Sequence, residues 1–202
     1  MLALLLAAAL NNPVDDLVAK IVSAYGGAAA WEKVTSFREI GTVTPAMRPG
    51  QGKLTREWQR PDKVRVEIVY PSSTELRVID GDRGTQNGKE ATGMGLDAMR
   101  LQAARLALPQ LLLERRKTLR DLGGNQIEVP ITSSMAMVIQ IDPQSGHILK
   151  STGKAPGVEF STEYSEFRTV DGLLFAFREE NSAQGMKTGT NEISKVEISR
   201  SK

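Results

Sequence analysis

The apolar positions of the chain change period three times. Val14, Leu17, Val18, Ile21, Val22 and Tyr25 recur every three or four residues, the spacing of one helical face. Asn12 stands at the N-cap, Pro13 at the first helical position, and Asp15 and Asp16 where the macrodipole favours acids. Gly26-Gly27 supplies a left-handed stop. A further turn or two is expected over 28–34, with Trp31 against the core. From Ser36 the period falls to two, and short strands are predicted over Ser36–Thr44, Gly52–Gln59, Lys63–Tyr70 and Thr74–Ile79, punctuated by Pro and Gly turns. On the second strand Leu54, Arg56, Trp58 and Arg60 share one face. A polar stretch over 85–92 follows. Leu96, Met99, Ala103 and Leu106 then mark a helical face, widened by Leu101, Ala104 and Leu108. Pro109 interrupts it, and a second helix resumes to Thr118 through Leu111, Leu112 and Leu113.

Strands return over Gln126–Pro130, Ser134–Ile141, His147–Ser151, Val158–Phe167, Leu173–Glu179 and Lys187–Ser199. The pattern is α+β and mostly antiparallel, with about eight to ten short strands in a meander that must curve strongly. No repeat or long linker divides it, so residues 12–202 are expected to form one domain. Met135, Met137, Ile139 and Ile141 share one face of their strand, as do Leu173, Phe175 and Phe177 of theirs. The interrupted leucine-rich helices of 96–118 are placed to plug the concave side. An ordinary packed core is the plainer reading of these faces. A cavity that takes flexible apolar chains is the sharper one, which Met and Leu side chains suit. Its lining would come from Leu54, Trp58, Leu96, Met99, Leu106, Leu112, Met135, Met137, Ile139, Phe175 and Phe177. Arg60 ends a strand on the face of Leu54 and Trp58: either a salt-bridged rim residue, or an arginine reaching inward to helix carbonyls.

Composition removes much chemistry. In 202 residues there is no cysteine and one histidine, His147. That excludes disulfides, thiolate metal sites, cysteine nucleophiles and a lipid-modified N-terminal cysteine. Any Ser-His-Asp triad or zinc site would hang on His147 alone. A surface histidine at a strand start is the expectation for it. Lys and Arg number 26 against 24 Asp and Glu, a net charge of +2, which lacks the dense basic excess of a nucleic-acid binder. Gly93-Met94-Gly95-Leu96-Asp97-Ala98 matches a dinucleotide fingerprint by letters, but no buried strand feeds it, and no cofactor is implied. Asp80-Gly-Asp-Arg-Gly84 reads as a hairpin turn, without the full ligand set of a calcium loop. Glu159, Glu163 and Glu166 lie at mixed phases on a strand. A hydrolase would need two buried acids facing one cleft, and no such pair is legible. Residues 1–11 hold an apolar run of ten with small residues near its end and no basic n-region, expected to be a truncated secretory signal or else an apolar lead into the first helix. No other stretch is long enough to span a membrane.

Several short signatures resemble the LolA/LolB superfamily of outer-membrane lipoprotein-sorting proteins. The first helix ends in Tyr25-Gly26-Gly27 and leads through Trp31-Glu-Lys-Val34 to Ser36-Phe37. Gly52-Lys-Leu-Thr-Arg-Glu-Trp-Gln-Arg60-Pro61 and the strand after it are similar to the family's strand, Arg-Pro turn and strand. Val78-Ile79-Asp80-Gly81, Ile141-Asp142-Pro143-Gln-Ser-Gly146 and the pair running through Tyr164, Phe167, Asp171-Gly172 and Phe175 resemble its later turns and closing strands. Where many members have an aromatic after Asp80-Gly81, this chain has Asp82-Arg83. The resemblance implies a strongly curved incomplete β-barrel with an N-terminal helix and an inserted helical lid, helices 96–118, held closed by Arg60. It implies a periplasmic carrier or chaperone for the acyl chains of a lipoprotein or other lipid, with transfer partners at the inner and outer membranes. The alternative is a non-enzymatic envelope sensor or protein-interaction module on the same fold.

Overall fold

The computed structural model describes residues 13–155 and 157–201. The expected signal segment 1–11 and the Asn12 cap lie outside the described residues. Helix α1 (Pro13–Ala24) and a short α2 (Ala28–Glu32) come first. The meander follows as β1 (Val34–Pro45), β2 (Gly52–Gln59), β3 (Lys63–Val69), β4 (Thr74–Asp80), β5 (Arg83–Gln86) and β6 (Lys89–Glu90). Helices α3 (Gly93–Leu106) and α4 (Leu108–Glu114) interrupt it. It resumes as β7 (Arg120–Gly123), β8 (Gln126–Pro130), β9 (Ala136–Ile141), β10 (Ile148–Ala155), β11 (Val158–Val170), β12 (Leu173–Ala183) and β13 (Met186–Arg200).

The strands build one antiparallel sheet of thirteen, ordered β6-β5-β4-β3-β2-β1-β13-β12-β11-β10-β9-β8-β7. Pairing of β1 with β13 joins the two halves of the meander. The eight to ten strands expected from sequence are therefore too few. The additional ones, β5, β6 and β7, lie at the sheet margins, where most of their residues face solvent and no apolar alternation betrays them. Both edge strands are very short, which limits edge-to-edge pairing with other chains.

The edges β6 and β7 are also the two ends of the helical segment, so this segment must travel from one edge of the sheet to the other. Thirteen strands extend about 58 Å along their arc at ordinary spacing, whereas helices of 14 and 7 residues are only about 21 and 10 Å long. The segment can join the edges only across the inside of a curved, unclosed sheet. Both helices are tied to the sheet's connections. Arg100 Nη2 donates to Asp82 O in the β4–β5 turn at 2.9 Å, and Arg115 Nη1 donates to Ile131 O beyond β8 at 3.0 Å.

Two apolar clusters fill the inside. One joins Val18, Ile21 and Val22 of α1 to Leu101, Leu108 and Leu112 and to Ile127, Met137, Ile139 and Ile148 of β8–β10. The other joins Trp31, Phe37, Leu54, Trp58, Val66, Phe175 and Phe177 with Met99 of α3. In the second, Phe37 stacks on Trp58 at 5.5 Å and meets Trp31 and Phe175 edge-on.

Helix α3 comes onto the sheet where glycine replaces a side chain. A Cβ on Gly84 of β5 would lie 2.7 Å from Leu96 Cδ1, and one on Gly153 of β10 would lie 2.4 Å from Leu101 Cδ2. Gly153→Ala should therefore destabilise the protein by about 1–3 kcal/mol through overpacking. Gly95→Ala, with open space around it, should stabilise α3 by about 0.4–1 kcal/mol. Urea denaturation of both variants checks this, and a neutral Gly153→Ala would refute the close contact.

Candidate functional site

Alternation along a strand puts every second residue on the concave face, and on six neighbouring strands one of those residues is polar. Ser151 of β10, Thr162 of β11, Glu179 of β12, Asn191 of β13, Glu39 of β1 and Arg56 of β2 are all buried. They belong to neither apolar cluster. Glu39 faces Arg56 across β1–β2, and Glu179 faces Asn191 across β12–β13.

Arg56 sits at the centre. Its Nε donates to Glu39 Oε2 at 2.8 Å, while Nη1 and Nη2 donate to Glu179 Oε2 and Oε1 at 2.6 and 2.9 Å. Asn191 Nδ2 adds a bond to Glu179 Oε2 at 2.8 Å. Burial pushes the Glu39 carboxyl above its ordinary range despite Arg56. Burial acts on Glu179 in the same sense, but the charge and hydrogen bonds of Arg56, with Asn191, hold it below. The two glutamates in turn hold the buried Arg56 guanidinium protonated. The sequence had shown no pair of buried acids on one cleft, and the structure corrects that expectation. Both carboxylates are nonetheless engaged by one guanidinium, the wiring of an ion cluster rather than of a free acid and base.

A cavity of about 480 Å³ opens between this row and α3. Val43, Leu54, Ile68 and Met99 give it an apolar side, and Thr162, Glu179, Asn181 and Asn191 a polar one. Four arginines line it, Arg48, Arg56, Arg77 and Arg105, against the two glutamates Glu75 and Glu179. Arg48 and Arg77 both pair with Glu75, at 2.7 and 2.9 Å, and Arg48 lies 3.8 Å over the Tyr70 ring. Arg105, from α3, is held differently. Its Nε donates to Ser151 Oγ at 3.2 Å and its Nη2 to Phe160 O at 2.8 Å. Among the described residues no carboxylate pairs with it and its Nη1 has no partner. Ser151 Oγ lies 2.7 Å from Tyr164 Oη. Burial pushes the Tyr164 hydroxyl up to about 12, so it remains protonated.

The residues singled out from sequence are dispersed around this space. Leu54 and Met99 line the 480 Å³ cavity. Trp58 lines a second, of about 250 Å³, between β2–β4 and the far side of the helices. Leu106 and Phe175 border a narrow crevice of about 50 Å³ that shares Arg105, Tyr164 and Glu179 with the main cavity. Leu96 packs over Gly84. Leu112, Met135, Met137, Ile139 and Phe177 are buried in the apolar clusters and line none of these cavities. Arg60 reaches inward. Its Nε donates to Val34 O at 2.6 Å, and its Nη2 to Trp31 O and to Gln110 Oε1 of α4, both at 2.9 Å. The helix carbonyl it meets belongs to α2, and its link to α4 is through a side chain.

No family model and no curated protein matches the chain in sequence. Solved structures do match in shape. A LolA superfamily protein from Nitrosomonas europaea superposes with a TM-score of 0.54 at 8% identity, covering 93% of this chain and 94% of that one. The chain shares the fold of that protein. A DUF1329 family protein from Desulfovibrio piger is also similar, with a TM-score of 0.49 at 9% identity over 93% of each chain. At such identities the likeness is one of backbone alone. No helix of the described residues is long and apolar enough to cross a membrane.

The ion cluster makes a prediction of its own. Arg56→Met should cost about 3–5 kcal/mol, because two buried carboxylates lose their counter-charge. In the native protein Glu179, with its lowered folded pKa, contributes stability that is present above its unfolded value and lost as pH falls through the folded one. Glu39, with its raised value, acts in the opposite sense. Without Arg56 both carboxyls should titrate high, so the variant should gain stability as the pH is lowered. Denaturant midpoints at neutral and mildly acid pH read this directly, and a variant that loses stability on acidification in parallel with the native protein would contradict it.

Proposed function

We propose that this protein is a non-catalytic carrier that holds an amphiphilic, acyl-bearing ligand between the curved sheet and helices α3–α4. The observation that carries the reading is the 480 Å³ cavity on the inside of a LolA-type sheet, within the range of about 300–1,000 Å³ of small-molecule sites. Each CH₂ withdrawn from water contributes about 0.8 kcal/mol, so an acyl chain laid against Val43, Leu54, Ile68 and Met99 gains affinity without any reacting group. Among the described residues there is no cluster of acids and histidine that could hold a metal. The buried carboxylates are engaged by Arg56. The reading of the chain as a sensor or interaction module predicts a filled or small interior, which the cavity disfavours.

In this reading α3–α4 is a lid and the periplasm is where it works, on lipoprotein acyl chains or another lipid, between donor and acceptor partners at the two membranes. Arg60 biases the lid toward closure, because it ties Trp31 of α2 and Val34 at the start of β1 to Gln110 on α4. Native mass spectrometry of protein purified from a Gram-negative periplasm, with lipid extraction of the same sample, should show one bound acylated species. A clean unliganded mass, with no uptake of acylated peptides, would defeat the carrier reading. Arg60→Leu should speed ligand release several-fold in a transfer assay, and unchanged release kinetics would remove Arg60 from the closing role.

A further inference from the structure

We infer that the ligand carries an oxyanion, carboxylate or phosphate, and that Arg105 binds it. The inference rests on the carrier reading and adds the chemistry of the head group. Of the four cavity arginines, three are spoken for: Arg56 by Glu39 and Glu179, and Arg48 and Arg77 by Glu75. Arg105 is the exception. Its two described bonds go to a hydroxyl and a backbone carbonyl, neutral acceptors that fix the guanidinium, and the Glu179 carboxylate reaches its charge only through space. A partly buried cation with no carboxylate bonded to it is costly to keep. Burial accordingly draws its pKa down from the ordinary arginine value, yet an arginine remains charged at any physiological pH.

Position adds to this. Arg105 stands where the main cavity meets the narrow crevice, and it lines both. Ser151 and Tyr164 orient it from the sheet, and its Nη1 has no partner among the described residues. Val43, Leu54, Ile68 and Met99 belong to the same cavity. A guanidinium and an apolar wall sharing one space fit a molecule with an anionic head and an aliphatic tail, whose oxyanion accepts charge-assisted bonds from Arg105. Glu179 also lines the cavity, but Arg56 and Asn191 occupy its carboxylate.

The test compares ligands that share a chain and differ in head. Displacement of an environment-sensitive dye is measured with palmitate, hexadecanol, lysophosphatidate and inorganic phosphate, using native protein, Arg105→Gln and Arg105→Lys. The native protein should bind palmitate and lysophosphatidate at least about tenfold more tightly than hexadecanol, the scale of a hydrogen bond to a charged group. Arg105→Gln should remove that preference while leaving hexadecanol affinity within about twofold, and Arg105→Lys should retain most of it. Equal binding of palmitate and hexadecanol by the native protein would overturn the anion site and leave the carrier reading standing. Binding of none of the amphiphiles would overturn both. Tight binding of inorganic phosphate alone would make the site one for a free anion, not a head group. A parallel loss of hexadecanol and palmitate in Arg105→Gln and Arg105→Lys would reduce Arg105 to a structural tie.

Discussion

The organisation of the molecule follows from one topological constraint. The chain leaves the sheet at β6, one edge, and re-enters it at β7, the other. The 26 residues from Gly93 to Thr118 must bridge those edges, and a helix covers only about 1.5 Å per residue. A flat sheet of thirteen strands would be too wide for them. Curvature of the sheet and placement of α3–α4 across its inside are thus two statements of the same requirement. Gly84 and Gly153 let α3 approach the sheet at two separated strands, β5 and β10. The cavity lies between α3 and the sheet, lined from the helix by Gly95, Ala98, Met99, Gln102 and Arg105.

That space is amphipathic because the inward face of the sheet is. The polar row from Ser151 to Arg56 runs through six adjacent strands and interrupts their apolar inward faces. A buried ion cluster is weak as a source of stability, since desolvation of the charges offsets their attraction. Its consequence here is shape and polarity. Arg56, Glu39 and Glu179 bond one another, so the floor of the cavity is hydrogen-bonded and fixed, while Arg105 on the helix side supplies a cation that no carboxylate of the floor bonds directly. The proposed preference for an anionic amphiphile rests on this asymmetry between helix and sheet.

Much of this was legible in the sequence, and the parts that were not share a cause. Helix α1 and the inner strands announce themselves because one face of each is buried, so Val14 to Tyr25 and Val64, Val66 and Ile68 keep their periods. Strands β5, β6 and β7 are wet at the margins and carry no alternation. The resemblance to LolA-type proteins, drawn from the turns around Tyr25-Gly26-Gly27, Arg60-Pro61 and Asp171-Gly172, agrees with the backbone likeness found by superposition. The ion cluster left a trace that went unread. Glu39 follows Phe37, Arg56 lies between Leu54 and Trp58, and Glu179 follows Phe177, each a charge on an otherwise apolar face. Only the pairing of β1 with β13, and of β13 with β12, brings residue 179 beside residues 39 and 56. Arg105 left no trace at all, because a helix residue's partner across a cavity is set by the path of the crossing and not by local spacing.

The central claim is that α3–α4 closes a ligand space against the sheet and must move to fill or empty it. Because the chain has no native cysteine, a single introduced pair can test this without competing thiols. Gly84→Cys with Leu96→Cys places two sulfurs where β5 and α3 touch, and oxidation would lock the start of the helix to the sheet. Uptake of a fluorescent acyl ligand should be abolished or slowed at least about tenfold in the oxidised protein, and should return on reduction. Equally fast uptake by the locked and reduced forms would contradict a moving lid, and with it the account of the cavity as a closed carrier site.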